Sequence, residues 1–388
     1  MQNRPLKIAY LCDWSPLDRN LYSGGNARIY DALSAHVGEV TILPNTWGAA
    51  EPVRKLLHKM PDAVNLRARW RLHLALGRII ARGVQRQLAR AEYDVLFTAY
   101  SFQSLARVVT PPGMVSAFTA DATPTGYKRS EVGQSFGSFL SVSRLLDPMI
   151  LRAETRIFAA QDLLLWPGEW QKQTSDALYG LTDAQSHLVA WGANIDDPGA
   201  GADVVLSRGK PVELLFIGRD WFAKGGPLVL EMTKALRADG IDARLTVIGC
   251  TPPVEAADWM QVYPSLDKAN PKQLAQFETL MRAAHFMVMA SFESWGFAFC
   301  EASAFGLPSL ALKTGGVPVR EGINGHALTP GATAQDFAER VKTYLSDPAA
   351  YASLRQSARA EYEDNLNWDA WARRVRQLLD EKLAAKNA

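Results

Sequence analysis

Short apolar runs alternate with longer amphipathic segments along the whole chain. The first half contains KIAYLC, VTIL, DVLFTA, MVSAFT, DLLLWP and HLVAWG, and the second half VELLFIG, RLTVIG, HFMVMAS and SLAL. Runs that are continuously apolar, and that are separated by helical patterns, are typical of parallel strands covered on both faces. The pattern therefore predicts an α/β protein with two doubly wound parallel sheets.

A segment without hydrophobic periodicity separates the two series of runs. Residues 194–211, NIDDPGAGADVVLSRGKP, are rich in Gly, Pro and Asp, which is typical of a linker. We expect an N-terminal domain over 1–200, a C-terminal domain over 201–364, and a ligand cleft between them. Residues 365–388 predict a helix with Asn367 as N-cap, which packs its tryptophans back on the N-terminal domain.

Composition and charge exclude few functions. A chain of 388 residues exceeds the size of one usual core, and a formal net charge of +2 does not indicate a nucleic-acid binder. Cys12, Cys250 and Cys300 are far apart and adjoin apolar runs, which favours reduced, buried thiols in a cytosolic protein. The N-terminal apolar run is too short for a signal peptide, and no run approaches the ~20 apolar residues of a membrane-spanning helix.

Cations and glycines follow the first strand of the second domain. In LLFIGRDWFAKGG, Gly218 and Arg219 come directly after the strand, and Lys224 precedes the two glycines that open the next helix. Guanidinium, ammonium and free backbone N–H groups at one strand end would form a site for phosphate oxygens. A surface turn with two solvated cations is the alternative.

Two glutamates lie eight residues apart in SFESWGFAFCEASAFGLP. A helix is expected to begin at Gly296 or Phe297 and to end at Gly306. Glu293 would then lie in the preceding loop and Glu301 one turn inside the helix, so that both carboxylates could face one pocket. Sugar hydroxyls would be suitable partners, because a buried carboxylate needs hydrogen bonds. One glutamate near the helix dipole and one in solvent is the alternative.

ESWGFAFCE resembles the E-x7-E signature of the retaining GT-B glycosyltransferases of family 4. The resemblance extends to FIGRDWFAKGG, WGAN, GLPSLALKTGGVPV, INGHAL and the tryptophan-rich terminal helix, and it is strongest from 212 to 328. It implies two Rossmann-like domains facing a central cleft, with the acceptor bound by the first domain and the nucleotide sugar by the second.

The resemblance also implies an activity. A hexose would move from a UDP-, GDP- or ADP-linked sugar to a hydroxyl of a glycan, glycolipid or other acceptor, in bacterial-type synthesis of cell-surface polysaccharide or glycoconjugates. The alternatives are a nucleotide-sugar epimerase or phosphorylase of the same fold and a non-catalytic nucleotide-sugar binding protein. A dinucleotide oxidoreductase is disfavoured, because no G-x-G-x-x-G follows a predicted strand.

The family pattern assigns roles to the matching residues. Glu293 would contact the donor sugar near the reacting centre, Glu301 would hold the ribose hydroxyls, and Arg219 with Lys224 would hold the diphosphate. Tyr263 would lie near the nucleotide base. The glycine loop YSGGNAR, which is otherwise an ordinary turn, and the backbone around the E-x7-E helix would supply the remaining donor contacts: Gly24, Gly25, Gly218, Ser294, Trp295, Gly296 and Phe297.

Many relatives place a histidine after an N-domain strand, where this chain reads MVSAFTADATPTGYK. Asp121 either replaces that histidine as partner of the acceptor hydroxyl or caps the following segment. The chain contains no Asp-x-Asp and no zinc-type spacing, so no metal or other cofactor is expected. Cations and helix ends would stabilise the leaving diphosphate in a front-face transfer that retains the anomeric configuration.

Residues 53–90 are strongly basic, with ten Lys or Arg and one acid, Asp62. An anionic membrane surface or a lipid-diphosphate acceptor is the candidate partner, and a solvated helix face is the alternative. We expect a cytoplasmic enzyme that binds peripherally to the inner face of the plasma membrane. Four arginines recur along one stripe of the predicted helix: Arg78, Arg82, Arg86 and Arg90.

Overall fold

A computed structural model describes most of the chain: residues 4–19, 21–43, 47–57, 59, 71–131, 133, 146–199, 204–255 and 257–388. It contains two compact units, Met1–Ala190 with Trp371–Ala388 and Trp191–Ala370. The first division falls before Trp191 and not at the expected 200/201. Trp191 belongs to the C-terminal unit because its ring stacks on Phe297, with centroids 5.9 Å apart and planes at 8°. That packing is invisible in the local sequence.

The N-terminal unit is built on a six-stranded parallel sheet of order β2-β1-β3-β4-β5-β6. Its central strands are buried along their whole length, as their continuous apolar runs predict. The strands are β1 (Leu6–Leu11), β2 (Gly38–Ile42), β3 (Val95–Ala99), β4 (Val115–Thr119), β5 (Leu163–Trp166) and β6 (Ser186–Leu188). The helices named here are α1 (Gly25–His36), α2 (Glu51–Leu57), α3 (Gly77–Leu88), α4 (Pro124–Arg129), α5 (Asp147–Ala159) and α6 (Glu169–Tyr179).

The C-terminal unit repeats this architecture with the strand order β12-β11-β10-β7-β8-β9, all parallel. Its apolar core joins the sheet to the helices on its faces. The strands are β7 (Val212–Ile217), β8 (Ala243–Ile248), β9 (Met260–Tyr263), β10 (Phe286–Met289), β11 (Ser309–Leu312) and β12 (Gly325–Leu328). The helices are α7 (Gly226–Ala238), α8 (Pro271–Ala283), α9 (Phe297–Ala304), α10 (Ala334–Ser346) and α11 (Pro348–Asp364).

A last helix, α12 (Trp368–Asn387), begins in the C-terminal unit and continues in the N-terminal unit. Asn367 accepts a hydrogen bond from a backbone N–H of its first turn over 2.8 Å, which confirms the predicted N-cap. The Trp371 ring packs edge-on against Phe97, and Arg376 donates to the Val37 carbonyl oxygen over 2.9 Å. The segment from Trp371 onward therefore completes the N-terminal unit.

The two parallel sheets confirm the predicted fold class, while the cleft between them stays a prediction. Two short strands, β9 and β12, were not predicted, because four-residue segments such as MQVY and GHAL carry little apolar signal. The predicted run HLVAWG is a strand only as far as Leu188. Within the described residues no helix is both long enough and apolar enough to cross a membrane.

Candidate functional site

In the C-terminal unit the strand order reverses between β7 and β10, which are neighbours in the sheet but not in sequence. Chains leaving two such strands diverge to opposite sides, and ligands of open α/β sheets bind at the carboxyl ends there. Lys224 follows β7 and Glu293 follows β10. Both predicted residues therefore lie at the position where the topology creates a ligand site.

Lys224 and Glu293 form an ion pair in which the ammonium donates to Oε1 over 2.5 Å. The Ser291 hydroxyl donates to the same oxygen over 2.6 Å. The carboxylate is largely buried, with 12% of its side chain exposed, whereas the lysine side chain is 30% exposed. Oε2 of Glu293 has no hydrogen-bond partner in the part of the chain that the structure describes. The arrangement offers one cation and one free carboxylate oxygen to a ligand.

Glycines open the helices on both sides of this ion pair. Gly225, with φ of +77°, precedes α7, and a Cβ there would lie 2.3 Å from the Ala290 carbonyl oxygen. Gly296, with φ of +89°, precedes α9. Neither helix has a side-chain cap, so the first N–H groups of α9 can receive an anion. At α7 the Gly225 and Gly226 N–H groups already donate to backbone carbonyl oxygens, and Pro227, which follows them, has no N–H. The predicted starts of both helices are confirmed.

Glu301 lies within α9 and is almost fully buried. Its Oε1 accepts a hydrogen bond from the Lys268 ammonium over 2.5 Å, and that ammonium also lies 4.6 Å above the centre of the Phe277 ring. Sequence reasoning missed Lys268. The residue lies in the loop between β9 and α8, and no spacing or motif connects it with Glu301.

The Gly315–Gly316 pair fixes the backbone of the Glu293 loop. The Gly316 N–H donates to the Glu293 carbonyl oxygen over 2.8 Å, and Glu293 pairs with Gly315 in an isolated parallel bridge. A Cβ at Gly316 would lie 2.1 Å from the Ser294 carbonyl oxygen. The close approach of the two chains therefore requires glycine.

The other predicted donor residues of this unit have different surroundings. Arg219 is exposed, and the described residues give it no hydrogen-bond or ion-pair partner. Gly218 packs on the stem of Lys224, where a Cβ would lie 2.7 Å from the lysine Cγ. Tyr263 ends β9 and Trp295 is buried. The residues from Ser294 to Phe297 can contribute backbone groups to the site, as predicted for the phosphates. The Phe297 ring cannot contribute, because it is packed on Trp191.

In the N-terminal unit, Gly24 and Gly25 form the expected turn before α1. Gly24 has a φ of +86°, and Tyr22 and Ser23 before it also have positive φ. The Tyr22 ring stacks on Tyr100, with centroids 4.1 Å apart. Consecutive non-glycine residues in this strained region are uncommon and concentrate at functional sites.

Asp121 follows β4 and is partly exposed. Burial raises the pKa of Tyr100 well above its usual value, and the Asp121 charge raises it further. The N-cap of α4 is Thr123, whose hydroxyl accepts from the Gly126 N–H over 3.2 Å. Asp121 is therefore not the cap of the following helix.

A buried carboxyl group lies beneath α4. Glu154 of α5 is fully buried and accepts hydrogen bonds from the Thr125 N–H, over 3.1 Å, and from the Thr125 hydroxyl. Loss of hydration raises the pKa of Glu154 to about 7, although the bonds from Thr125 act in the opposite direction. The sequence gives no sign of this group, since a glutamate in a helix is ordinarily exposed.

The N-terminal sheet also reverses its order, between β1 and β3. The Asp13 N–H donates to the Ser101 hydroxyl over 2.7 Å across this point, and the buried Asp13 carboxylate accepts from Ser104 over 2.7 Å and from Gln103. These contacts join residues about ninety positions apart. Sequence reasoning therefore missed them.

All three cysteines are free; Cys12 and Cys300 are buried as predicted, whereas Cys250 is half-buried. Burial raises the pKa of Cys12 to about 12. Among the described residues no group of His, Cys, Asp and Glu side chains could hold a metal ion, and a metal-free reaction stays a prediction.

Comparison with known proteins agrees with this geometry. Residues 211–347 match the family model of glycosyl transferases group 1. The matched segment lies within the C-terminal unit and contains the E-x7-E stretch. The match confirms the family resemblance that the E-x7-E stretch predicts.

Curated and solved relatives of this glycosyltransferase family extend the comparison. The D-inositol 3-phosphate glycosyltransferase of Corynebacterium glutamicum (strain R) is 27% identical over 240 residues, 56% of this chain and 57% of that protein, so the match spans little more than half of the relative. Anabaena Alr3699/HepE, solved with UDP and glucose, is 15% identical with a TM-score of 0.60 over 97% of this chain and 100% of that one. The lipopolysaccharide outer core galactosyltransferase WaaB is 14% identical with a TM-score of 0.62 over the same shares. The solved relatives confirm the GT-B fold.

Proposed function

We propose that the protein is a retaining, metal-independent glycosyltransferase that moves a hexose from a nucleoside-diphosphate sugar to a hydroxyl of a glycan, glycolipid or other acceptor. The observation that carries this proposal is the Lys224–Glu293 ion pair at the point where the C-terminal sheet reverses its order. A cation, the uncapped start of α9 and a free carboxylate oxygen provide the groups that a diphosphate and a sugar require.

Each group has a defined task in the proposed reaction. The bond from the anomeric carbon to the diphosphate oxygen breaks, the acceptor oxygen bonds to the same face of that carbon, and the hydroxyl proton passes to the leaving diphosphate. Lys224, exposed Arg219 and the N–H groups at the start of α9, after Gly296, stabilise the negative charge that develops on the leaving group. Glu293 accepts hydrogen bonds from hydroxyls of the transferred sugar and thereby orients the sugar.

The names of the relatives suggest which substrates to test first. Anabaena Alr3699/HepE binds UDP, so UDP-hexoses lead the donor panel, followed by GDP- and ADP-hexoses. The curated relatives are named for D-inositol 3-phosphate, and WaaB for the lipopolysaccharide outer core, so the acceptor panel contains a phosphorylated polyol and lipid-linked saccharides. A role in bacterial-type synthesis of cell-surface polysaccharide or glycoconjugates is part of the proposal.

The test combines nucleotide release with product analysis. We expect purified protein with chelator present to release nucleoside diphosphate from one donor only when an acceptor is added, and NMR of the product to show the anomeric configuration of the donor. Conversion of the sugar without an acceptor would indicate an epimerase instead. Donor binding without release for any acceptor would indicate a binding protein, and activity lost on chelation would contradict the metal-free reaction.

We propose further that the basic helix binds anionic membranes from the cytoplasmic side. Arg78, Arg82 and Arg86 are all exposed on α3, while its opposite face is buried. Apolar side chains are exposed beside them, with Leu56 of α2 at 66% and Ile79 at 43%. The two helices share one small apolar cluster, so the cations and exposed aliphatic groups belong to one local surface. The part of the basic region at 58 and 60–70 lies outside the described residues.

Vesicle co-sedimentation tests this surface. Each cation near an anionic bilayer contributes roughly 1 kcal/mol, so we expect Arg82→Glu with Arg86→Glu to lower binding to vesicles rich in phosphatidylglycerol by at least tenfold at low salt. Lys210→Glu with Lys272→Glu, which reverses two exposed cations of the C-terminal unit, is the matched control. Absence of binding by the unchanged protein at low salt would refute the proposal.

A further inference from the structure

Lys268 occupies an unusual position for a loop lysine. Its side chain is 35% exposed, yet its ammonium reaches Glu301, whose side chain is 4% exposed. The loop that carries it is held by hydrogen bonds, since the Asp267 N–H donates to the Gln273 side chain over 2.6 Å and Asn270 caps α8. The lysine is therefore presented to Glu301 by a fixed loop.

The two oxygens of Glu301 have different surroundings. Oε1 accepts from Lys268 over 2.5 Å, and within the described residues Oε2 has no hydrogen-bond partner. Glu293 shows the same division, with Lys224 and Ser291 on Oε1 and none of the described residues on Oε2. In each case a lysine holds one oxygen of a mostly buried carboxylate and leaves the other for a hydrogen-bond donor.

A purely stabilising role explains this pair poorly. Burying an ion pair seldom adds net stability, because the loss of hydration offsets the attraction between the charges. A pair that joins a half-exposed cation to a buried carboxylate does have a clear effect on geometry. The Lys268 ammonium fixes which oxygen of the Glu301 carboxylate remains open to a hydrogen-bond donor.

We propose that Lys268 is a positioning residue for the nucleoside half of the donor. It holds Glu301 so that Oε2 accepts hydrogen bonds from the vicinal hydroxyls of the ribose. The inference rests on the proposed function, from which it takes the donor class, and on the ribose-binding role that the sequence resemblance implies for Glu301. The two hydroxyls on adjacent ribose carbons can each donate a hydrogen bond to a carboxylate oxygen. Discrimination between a ribonucleotide and its dideoxy analogue therefore depends on Lys268.

Isothermal titration calorimetry of the full chain tests this dependence. Whichever of UDP, GDP and ADP binds is compared with its 2′,3′-dideoxy analogue, in the unchanged protein, Lys268→Met, Lys268→Arg and the control Lys272→Met. We expect the unchanged protein and Lys272→Met to prefer the ribonucleotide by at least tenfold, Lys268→Met to lower that preference to threefold or less, and Lys268→Arg to restore part of it. Loss of thermal stability alone would change both affinities together and leave their ratio unchanged.

The outcomes separate this inference from the proposed function. Failure of all three nucleotides to bind the unchanged protein would overturn the proposed donor class. Nucleotide binding with equal preference in the unchanged protein and in Lys268→Met would overturn the role of Lys268 alone. If Lys268→Met does not fold, Lys268→Gln replaces it, and the double variant with Glu301→Gln should lose no more discrimination than Glu301→Gln by itself.

Discussion

Both units reverse the strand order of a parallel sheet, and in both a hydrogen bond crosses the point of reversal. In the N-terminal unit the contact is buried: Asp13 reaches Ser101, and its carboxylate accepts from Ser104 and Gln103. In the C-terminal unit the contact is the partly exposed Lys224–Glu293 pair, which leaves one carboxylate oxygen open. One reversal point serves the fold, and the other is open to a ligand.

The difference shows that topology alone does not make a site. At the C-terminal point, glycine keeps side chains away from the helix starts. The Lys224 ammonium there is paired with Glu293 but stays partly exposed. At the N-terminal point, short polar side chains satisfy one another, and the unusual groups lie farther out, in the strained Tyr22 turn and at Asp121. Recognition of the acceptor would then depend on individual loops that have no general motif.

Removing either charge of the Lys224–Glu293 pair, at the reversal point of the C-terminal sheet, should have the largest effect on catalysis. We expect Lys224→Met and Glu293→Gln each to lower kcat/KM by at least about 100-fold, because both act on charge or geometry that develops in the transition state. Lys210→Met, at an exposed lysine of the same unit, should leave the rate unchanged. Near-normal turnover of either site variant would remove it from the proposed machinery.

A substitution at Gly225, before α7, tests whether the close approach of its backbone to Ala290 is required. Gly225→Ala combines a positive φ with a Cβ 2.3 Å from a backbone oxygen, whereas Gly240→Ala has nearly the same φ, +79°, and nothing within 4 Å. Backbone strain alone costs about 1 kcal/mol, and we expect the steric conflict at Gly225 to lower the free energy of unfolding by about 2 kcal/mol more. Urea unfolding of both variants measures the difference, and equal losses would show that the chain relaxes around the methyl group.

The N-terminal unit should carry a pH dependence that arises from Glu154. Its folded pKa of about 7 is above the usual value of 4.5, so the folded state holds the proton more tightly and stability falls as the pH rises from about 4.5 to 7. This group should lower the free energy of unfolding by about 2 kcal/mol between pH 5.5 and 7.5. Glu154→Gln should remove that part of the pH dependence in chemical denaturation, and an unchanged slope would contradict the assignment.

The smallest effect is expected at Asp121. If its carboxylate meets the acceptor hydroxyl, Asp121→Asn should lower turnover about tenfold and leave nucleotide affinity unchanged, since it removes one charge-assisted hydrogen bond. Calorimetry with UDP and turnover with an acceptor separate the two quantities. A parallel loss of both would indicate that Asp121 supports the structure of its unit.

The sequence predicts the site of the C-terminal unit better than its surroundings because those residues adjoin strand ends. Lys224 and Glu293 could be placed from apolar runs and glycines alone, since parallel strands bring their carboxyl ends to one edge. Lys268 meets Glu301 through a loop 33 residues away, and no periodic signal crosses that gap. Its part in the site depends on how a loop folds, which tertiary packing decides.

The same limit explains the missed domain division and the missed Asp13 network. A Gly- and Pro-rich stretch predicts a linker from composition, but Trp191 joins the C-terminal unit because one ring fits against Phe297. Asp13 and Ser101 are joined across 88 residues by the neighbouring positions of β1 and β3. Strands can be predicted from the sequence because their hydrophobic signal is local. Ring packing and buried polar networks cannot, because they join residues that are far apart in the chain.

The division of α12 between the units has a consequence for synthesis on the ribosome. The N-terminal unit comes from two separate stretches, and the second begins only at Trp371, after the whole C-terminal unit has been made. A nascent chain therefore has the first unit's sheet with Phe97 not yet covered by Trp371, and with the carbonyl oxygen of Val37 still awaiting Arg376. The unit made first becomes complete last, and a chain cut short after residue 370 would lack the segment that completes it.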